Sequence, residues 1–192
     1  SIYKNIGLCM KEIGNADLAI KFLKRFEEVS PDKEDVYVYL ADLTYTDIKD
    51  NKKAIEYYEK AKETDGNNAL INYNLANAYY RKGEYDKAME TYKTVLNNTQ
   101  DSNLKSVTLY NMGNTSYRNQ DTDLALDYYK ECLKINSSDI YAKHNIEFLQ
   151  QEQQQNKDNI NLDILILKVT IFKDIYNSEL KKIFKFLKKK EI

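Results

Sequence analysis

The 192-residue sequence predicts an all-α protein built from tandem helical hairpins. Three observations carry this reading. Helix breakers are scarce: there is one proline, Pro31, and there are five glycines, against abundant Lys, Glu, Leu and Ala. Residues 77–96 (NAYYRKGEYDKAMETYKTVL) superimpose on 114–133 (NTSYRNQDTDLALDYYKECL) at a shift of 37, and related stretches begin at Lys11 and Thr46. Recurrence at such a period marks a repeat architecture. Within each copy the apolar residues fall at i, i+4 and i+7, which puts them on one face of a helix.

The first hairpin is expected at 1–33. Ile6-Gly7 lies in its first helix, Gly14-Asn15 in its turn, Ala19-Ile20 with Leu23 and Phe26 in its second helix, and Ser30-Pro31 stops it. The second, at 34–67, repeats this as Leu40-Ala41, Lys49-Asp50 and Ala54-Ile55 with Tyr58 and Ala61, stopping at Thr64-Asp65-Gly66; its turn holds one extra residue. The third, at 69–102, reads Leu75-Ala76, Gly83-Glu84 and Ala88-Met89 with Tyr92 and Val95, and stops at Asn97-Asn98. About three extra residues, near Asp101 to Lys105, precede the fourth. That hairpin, at 106–138, carries Met112-Gly113, Gln120-Asp121 and Ala125-Leu126 with Tyr129 and Cys132, and stops at Asn136-Ser137-Ser138. The repeated alanines lie 35, 34 and 37 residues apart. The small residue in each first helix lets two helices approach closely. Residues 139–150 look like the first helix of a fifth copy without its second, which suits a solvent-facing cap.

A helix–turn–helix unit of about 34 residues, with small residues where helices cross, resembles the tetratricopeptide repeat family. The first copy carries the family pattern at Tyr3, Ile6, Gly7, Ala19, Leu23 and Pro31, and the third at Leu75, Ala76, Tyr79, Ala88 and Tyr92. The resemblance implies an α-α solenoid wound as a right-handed superhelix, with peptides or proteins held on its concave face. First-helix positions line that face in the family. Carried over, they are Tyr73, Asn77, Tyr80 and Arg81 in the third copy and Tyr110, Asn114, Tyr117 and Arg118 in the fourth. The two sets agree type for type. The amides suit a peptide backbone, the tyrosines side chains, and the arginines carboxylates. The same face presents Lys4, Leu8 and Lys11 in the first copy and Val38, Asp42 and Tyr45 in the second. This departs from the Lys/Asn/Arg set by which some family members clamp a terminal carboxylate.

The remainder differs in character. Residues 151–161 are Gln/Asn-rich and polar, and read as either a linker or an extension of the preceding helix. Residues 162–192 are apolar and then basic; Leu165, Val169, Phe172, Tyr176, Leu180, Ile183 and Leu187 fall near helical spacing, while Ile160, Leu162, Ile164 and Ile166 alternate as in a short strand. Eight lysines and four acids give this tail +4, leaving −5 for the rest within a net charge of −1. Asp163, Lys168, Lys173 and Asp174 interrupt the apolar run, so a membrane span is not expected. The tail is expected to cap the solenoid, to bind a partner or second copy, or to lie on a membrane surface.

No chemistry-bearing constellation emerges, and the reading is a non-enzymatic scaffold or adaptor with no cofactor. His144 is the single histidine, which excludes a multi-histidine metal site. Cys9 and Cys132 match no ligand spacing and are expected as reduced, buried thiols. Net charge near zero gives no footprint for nucleic acid, so a protein or peptide partner is expected. The chain begins at Ser1 without methionine, so a signal peptide would already be missing; a cytoplasmic setting is favoured and a periplasmic one left open.

Overall fold

The computed structural model describes residues 2–31 and 33–190; Ser1, Asp32, Glu191 and Ile192, which fall in the expected first hairpin and C-terminal segment, lie outside them. The described residues form nine α-helices and no strand: α1 (Ile2–Glu12), α2 (Ala16–Val29), α3 (Glu34–Thr46), α4 (Asn51–Thr64), α5 (Ala69–Lys82), α6 (Tyr85–Asn98), α7 (Ser102–Arg118), α8 (Thr122–Ile135) and α9 (Ile140–Lys190). Two compact units result, Ser1–Ile146 and Glu147–Ile192.

In the first unit, contacts run α1·α2, α2·α3 and so on to α7·α8, with additional contacts α3·α5 and α5·α7. This is a stack of four hairpins whose first helices line one face. The repeated second-helix residues form its core. Ala19, Ala54, Ala88 and Ala125 are fully buried, and so, to within 2%, are Leu23, Tyr58, Tyr92 and Tyr129 four residues on. The small residues of the first helices set the approach. A Cβ on Gly7 would lie 2.9 Å from Leu23 Cγ, and one on Gly113 would lie 2.5 Å from Tyr129 Cε1. Close crossing of α7 and α8 therefore depends on Gly113.

Each hairpin turn places one residue at positive φ, at Gly14 (78°), Lys49 (59°), Gly83 (85°) and Gln120 (64°). Two copies meet this left-handed requirement with glycine and two do not. The residue that follows caps the second helix in three copies: Asn15, Asp50 and Asp121 side chains accept from the amides of Leu18, Lys53 and Leu124. In the third copy Glu84 makes no such bond and instead pairs with Lys82 (2.6 Å) and Lys87 (2.9 Å).

The extra residues before the fourth hairpin are absorbed by α7, which runs 17 residues and starts at Ser102, capped by Asp101. The fourth hairpin thus starts four residues earlier than its sequence pattern indicates. Cys132 is buried near Ser106, but Cys9 is exposed, contrary to the expectation of two buried thiols, because its helix position faces away from α2. His144 is exposed.

Helix α9 opens with Asp139 accepting from the amides of Tyr141 and Ala142. Its residues to Ile146 belong to the first unit, where Ala142 is fully buried and Asn145 bonds to Asn114. Residues 151–161 are helical rather than an irregular linker, and the alternating stretch 160–166 is helical rather than extended. Among the described residues no helix is long and apolar enough to cross a membrane.

Candidate binding groove

A polar motif repeats along the face made by α3, α5 and α7. In the third copy the buried Tyr92 hydroxyl donates to Asn77 Oδ1 at 2.5 Å, and Asn111 of the next first helix donates to the same oxygen at 3.0 Å. In the fourth, the Tyr129 hydroxyl donates to Asn114 Oδ1 at 2.7 Å and Asn145 of α9 donates to it at 3.3 Å. In the second, the acceptor is Asp42, which receives the Tyr58 hydroxyl at 2.6 Å and Asn74 at 3.5 Å. One oxygen thereby joins the two helices of a hairpin to the helix that follows, which is the next hairpin's first helix in two cases and α9 in the third. Burial pushes the Tyr58, Tyr92 and Tyr129 hydroxyls well above the ordinary tyrosine value, so they remain donors.

The first copy has Leu8 at the corresponding place and no rung. Tyrosine rings thicken the wall: Tyr45 packs on Tyr58, Tyr73 on Tyr92 and Tyr110 on Tyr129, with centroids 6.5, 6.3 and 5.8 Å apart. Asn111 also donates to the Tyr73 hydroxyl at 3.1 Å. The guanidinium of Arg81 lies 4.0 Å over the Tyr45 ring and donates to the Tyr45 carbonyl at 3.3 Å. The charge of Arg118 is felt at Tyr80, where it opposes the rise caused by burial.

A concavity of about 240 Å³ opens on this face, lined by Tyr45, Asn77, Tyr80, Arg81, Tyr92, Asn111 and Asn114. Four residues expected from the sequence, Asn77, Tyr80, Arg81 and Asn114, are brought together there. Tyr73 and Tyr110 stand half-buried as wall residues, and Tyr117 (half-buried) and Arg118 (exposed) lie beyond its lining. Asn111 was not singled out from the sequence, although the shift of 37 that pairs Asn77 with Asn114 also pairs Asn74 with Asn111. The amide oxygens of Asn77 and Asn114 are committed to the stack, so the amides do not offer donor and acceptor together to a ligand. Their Nδ2 groups and the remaining guanidinium N–H groups of Arg81 are the donors this surface can present. Among the described residues, no group of three or more His, Cys, Asp or Glu could hold a metal ion.

Two tetratricopeptide repeat family models match the chain, over residues 48–108 and 106–139. No curated protein sequence matches. Among solved structures, MamA (residues 41–end) from Desulfovibrio magneticus RS-1 superposes with a TM-score of 0.73 at 13% identity, over 82% of this chain and 86% of that one. Pseudomonas aeruginosa pilF gives 0.67 at 23% identity, over 80% and 68%, and a Parabacteroides merdae tetratricopeptide repeat protein 0.70 at 21%, over 80% and 59%. At these identities the likeness is one of fold: an all-α solenoid of helical hairpins. Such repeats serve in general as protein-interaction scaffolds and are generally non-catalytic. Tetratricopeptide repeats therefore account for residues 48–139 of the chain.

Proposed function

We propose that the chain is an adaptor that holds an extended peptide segment of a protein partner along the face of α3, α5 and α7. The observation that carries this reading is the concavity in which Tyr45, Tyr80, Arg81, Asn77 and Asn114 converge from three successive first helices. Half-buried tyrosines supply rigid contact area at low entropic cost, and amide and guanidinium donors spaced along the groove match peptide carbonyls and acidic side chains.

The test is site-specific photocrosslinking in native extract. A photoreactive residue at Tyr80 or Tyr117 is expected to capture a defined partner, whereas one at Tyr57 or Tyr128, on second helices, is not. Replacing Asn77 and Asn114 by aspartate keeps both accepted hydrogen bonds, removes the two free N–H donors and adds charge, so capture should fall at unchanged stability. Equal capture from both faces, or capture indifferent to the aspartates, would falsify the groove reading.

A further inference from the structure

The second unit presents an apolar stripe. Leu165, Val169, Phe172, Tyr176, Ile183 and Leu187 of α9 are each at least half exposed. With Leu162 and Leu180 they follow steps of 3, 4, 3, 4, 4, 3 and 4 residues, a coiled-coil seam with one local change of step. The spacing is symmetric: read outward from Tyr176, the steps are 4, 3 and 4 in either direction.

We infer that α9 pairs with the α9 of a second copy of this chain, antiparallel and about a dyad at Tyr176. In that register Phe172 meets Leu180 of the second copy, Val169 meets its Ile183, and Leu165 meets its Leu187, so each apolar layer has an apolar counterpart. Charge selects the direction. A parallel pair would set Lys181, Lys182, Lys185 and Lys188 against the same four lysines, at a repulsive cost. The antiparallel pair brings them level with 164–171, where Lys168 is the lone charge and Ile164, Ile166, Leu167 and Ile171 are exposed for lysine stems to cover. It also brings Glu179 level with Lys173 of the second copy. The seam stops where its stripe continues as Asp158, Gln154 and Gln151. A membrane surface has no counterpart to the symmetry of the spacing about Tyr176, so a second copy is the occupant this pattern favours.

The test uses the full chain with Cys9→Ser, so that no exposed thiol competes. Chains bearing Leu165→Cys mixed with chains bearing Leu187→Cys should form the mixed disulfide at least about tenfold more readily than Leu165→Cys alone forms its own. Sedimentation should give twice the chain mass, and Phe172→Asp with Leu180→Asp should weaken self-association by about 100-fold or more by placing carboxylates in the seam. Phe172 is exposed and Leu180 half-buried in a single helix, and circular dichroism checks that helicity survives. A monomer at all concentrations, preferential Leu165→Cys self-linking, or a monomer that pellets with phosphatidylserine vesicles each overturns the inference.

Discussion

Replacing Asn77 by alanine isolates what the repeated rung contributes to the fold. The substitution removes the acceptor of two hydrogen bonds, from the Tyr92 hydroxyl at 2.5 Å and from Asn111 at 3.0 Å. Asn111 retains the Tyr73 hydroxyl, but the Tyr92 side chain is only 1% exposed and loses its acceptor. A buried donor left unsatisfied costs about 1–3 kcal/mol, and because the groove opens beside Asn77 the lower half applies: a loss of about 1–2 kcal/mol. Asn77→Asp keeps the oxygen, and Asp42 already serves Tyr58 in this role at 2.6 Å, so the change should stay within about 0.5 kcal/mol. Tyr92→Phe removes the donor, and the double variant Asn77→Ala with Tyr92→Phe should recover about 1 kcal/mol of the summed losses. Urea unfolding followed by circular dichroism measures all four chains. If alanine and aspartate cost the same, or the double-variant coupling is zero, the rung does not hold the hairpins together.

Other consequences are open to measurement. Lys49→Gly and Gln120→Gly should each raise stability by about 1 kcal/mol, since both sit at positive φ, while Gly83→Ala, whose Cβ would meet no atom within 4 Å, should lower it by about as much through backbone conformation alone; thermal melts report the sign. Acid should weaken the second and third hairpins. The Lys53 amide holds the Asp50 carboxyl below its ordinary 3.8, and Lys82 and Lys87 hold Glu84 below 4.5. Depressed carboxylates contribute stability that is complete above those ordinary values and lost as pH falls through the lowered ones, so Asp50→Asn should flatten the acid limb of a pH–stability curve. A thiol reagent should modify Cys9 rapidly in the native chain, with Cys132 reacting only on unfolding; fast loss of both thiols would contradict the burial of Cys132.

The second helices were the most legible part of the sequence. Alanine followed at +4 and +7 by larger residues fixes a face, and burial at Ala88, Tyr92 and Val95 follows from that spacing alone. Turn conformation was less so, because Lys49 and Gln120 adopt the left-handed region against their own preference; the helices on either side impose it. The groove was half legible. Periodicity assigns Asn77 and Asn114 to one face but cannot say which end of an amide a neighbour uses, and in both residues it is the oxygen that ties helices together. Asn111 shows the reverse: its spacing was present in the repeat, but its importance lies in reaching across to the preceding copy at Tyr73 and Asn77.

The bond from Asn145 to Asn114 has a consequence for growth of the array. Asn145 answers the fourth hairpin as Asn111 answers the third, so the docking position that an incoming unit would need is already filled by the chain itself. An incoming unit that docked on the fourth hairpin through Asn114 would first have to displace Asn145.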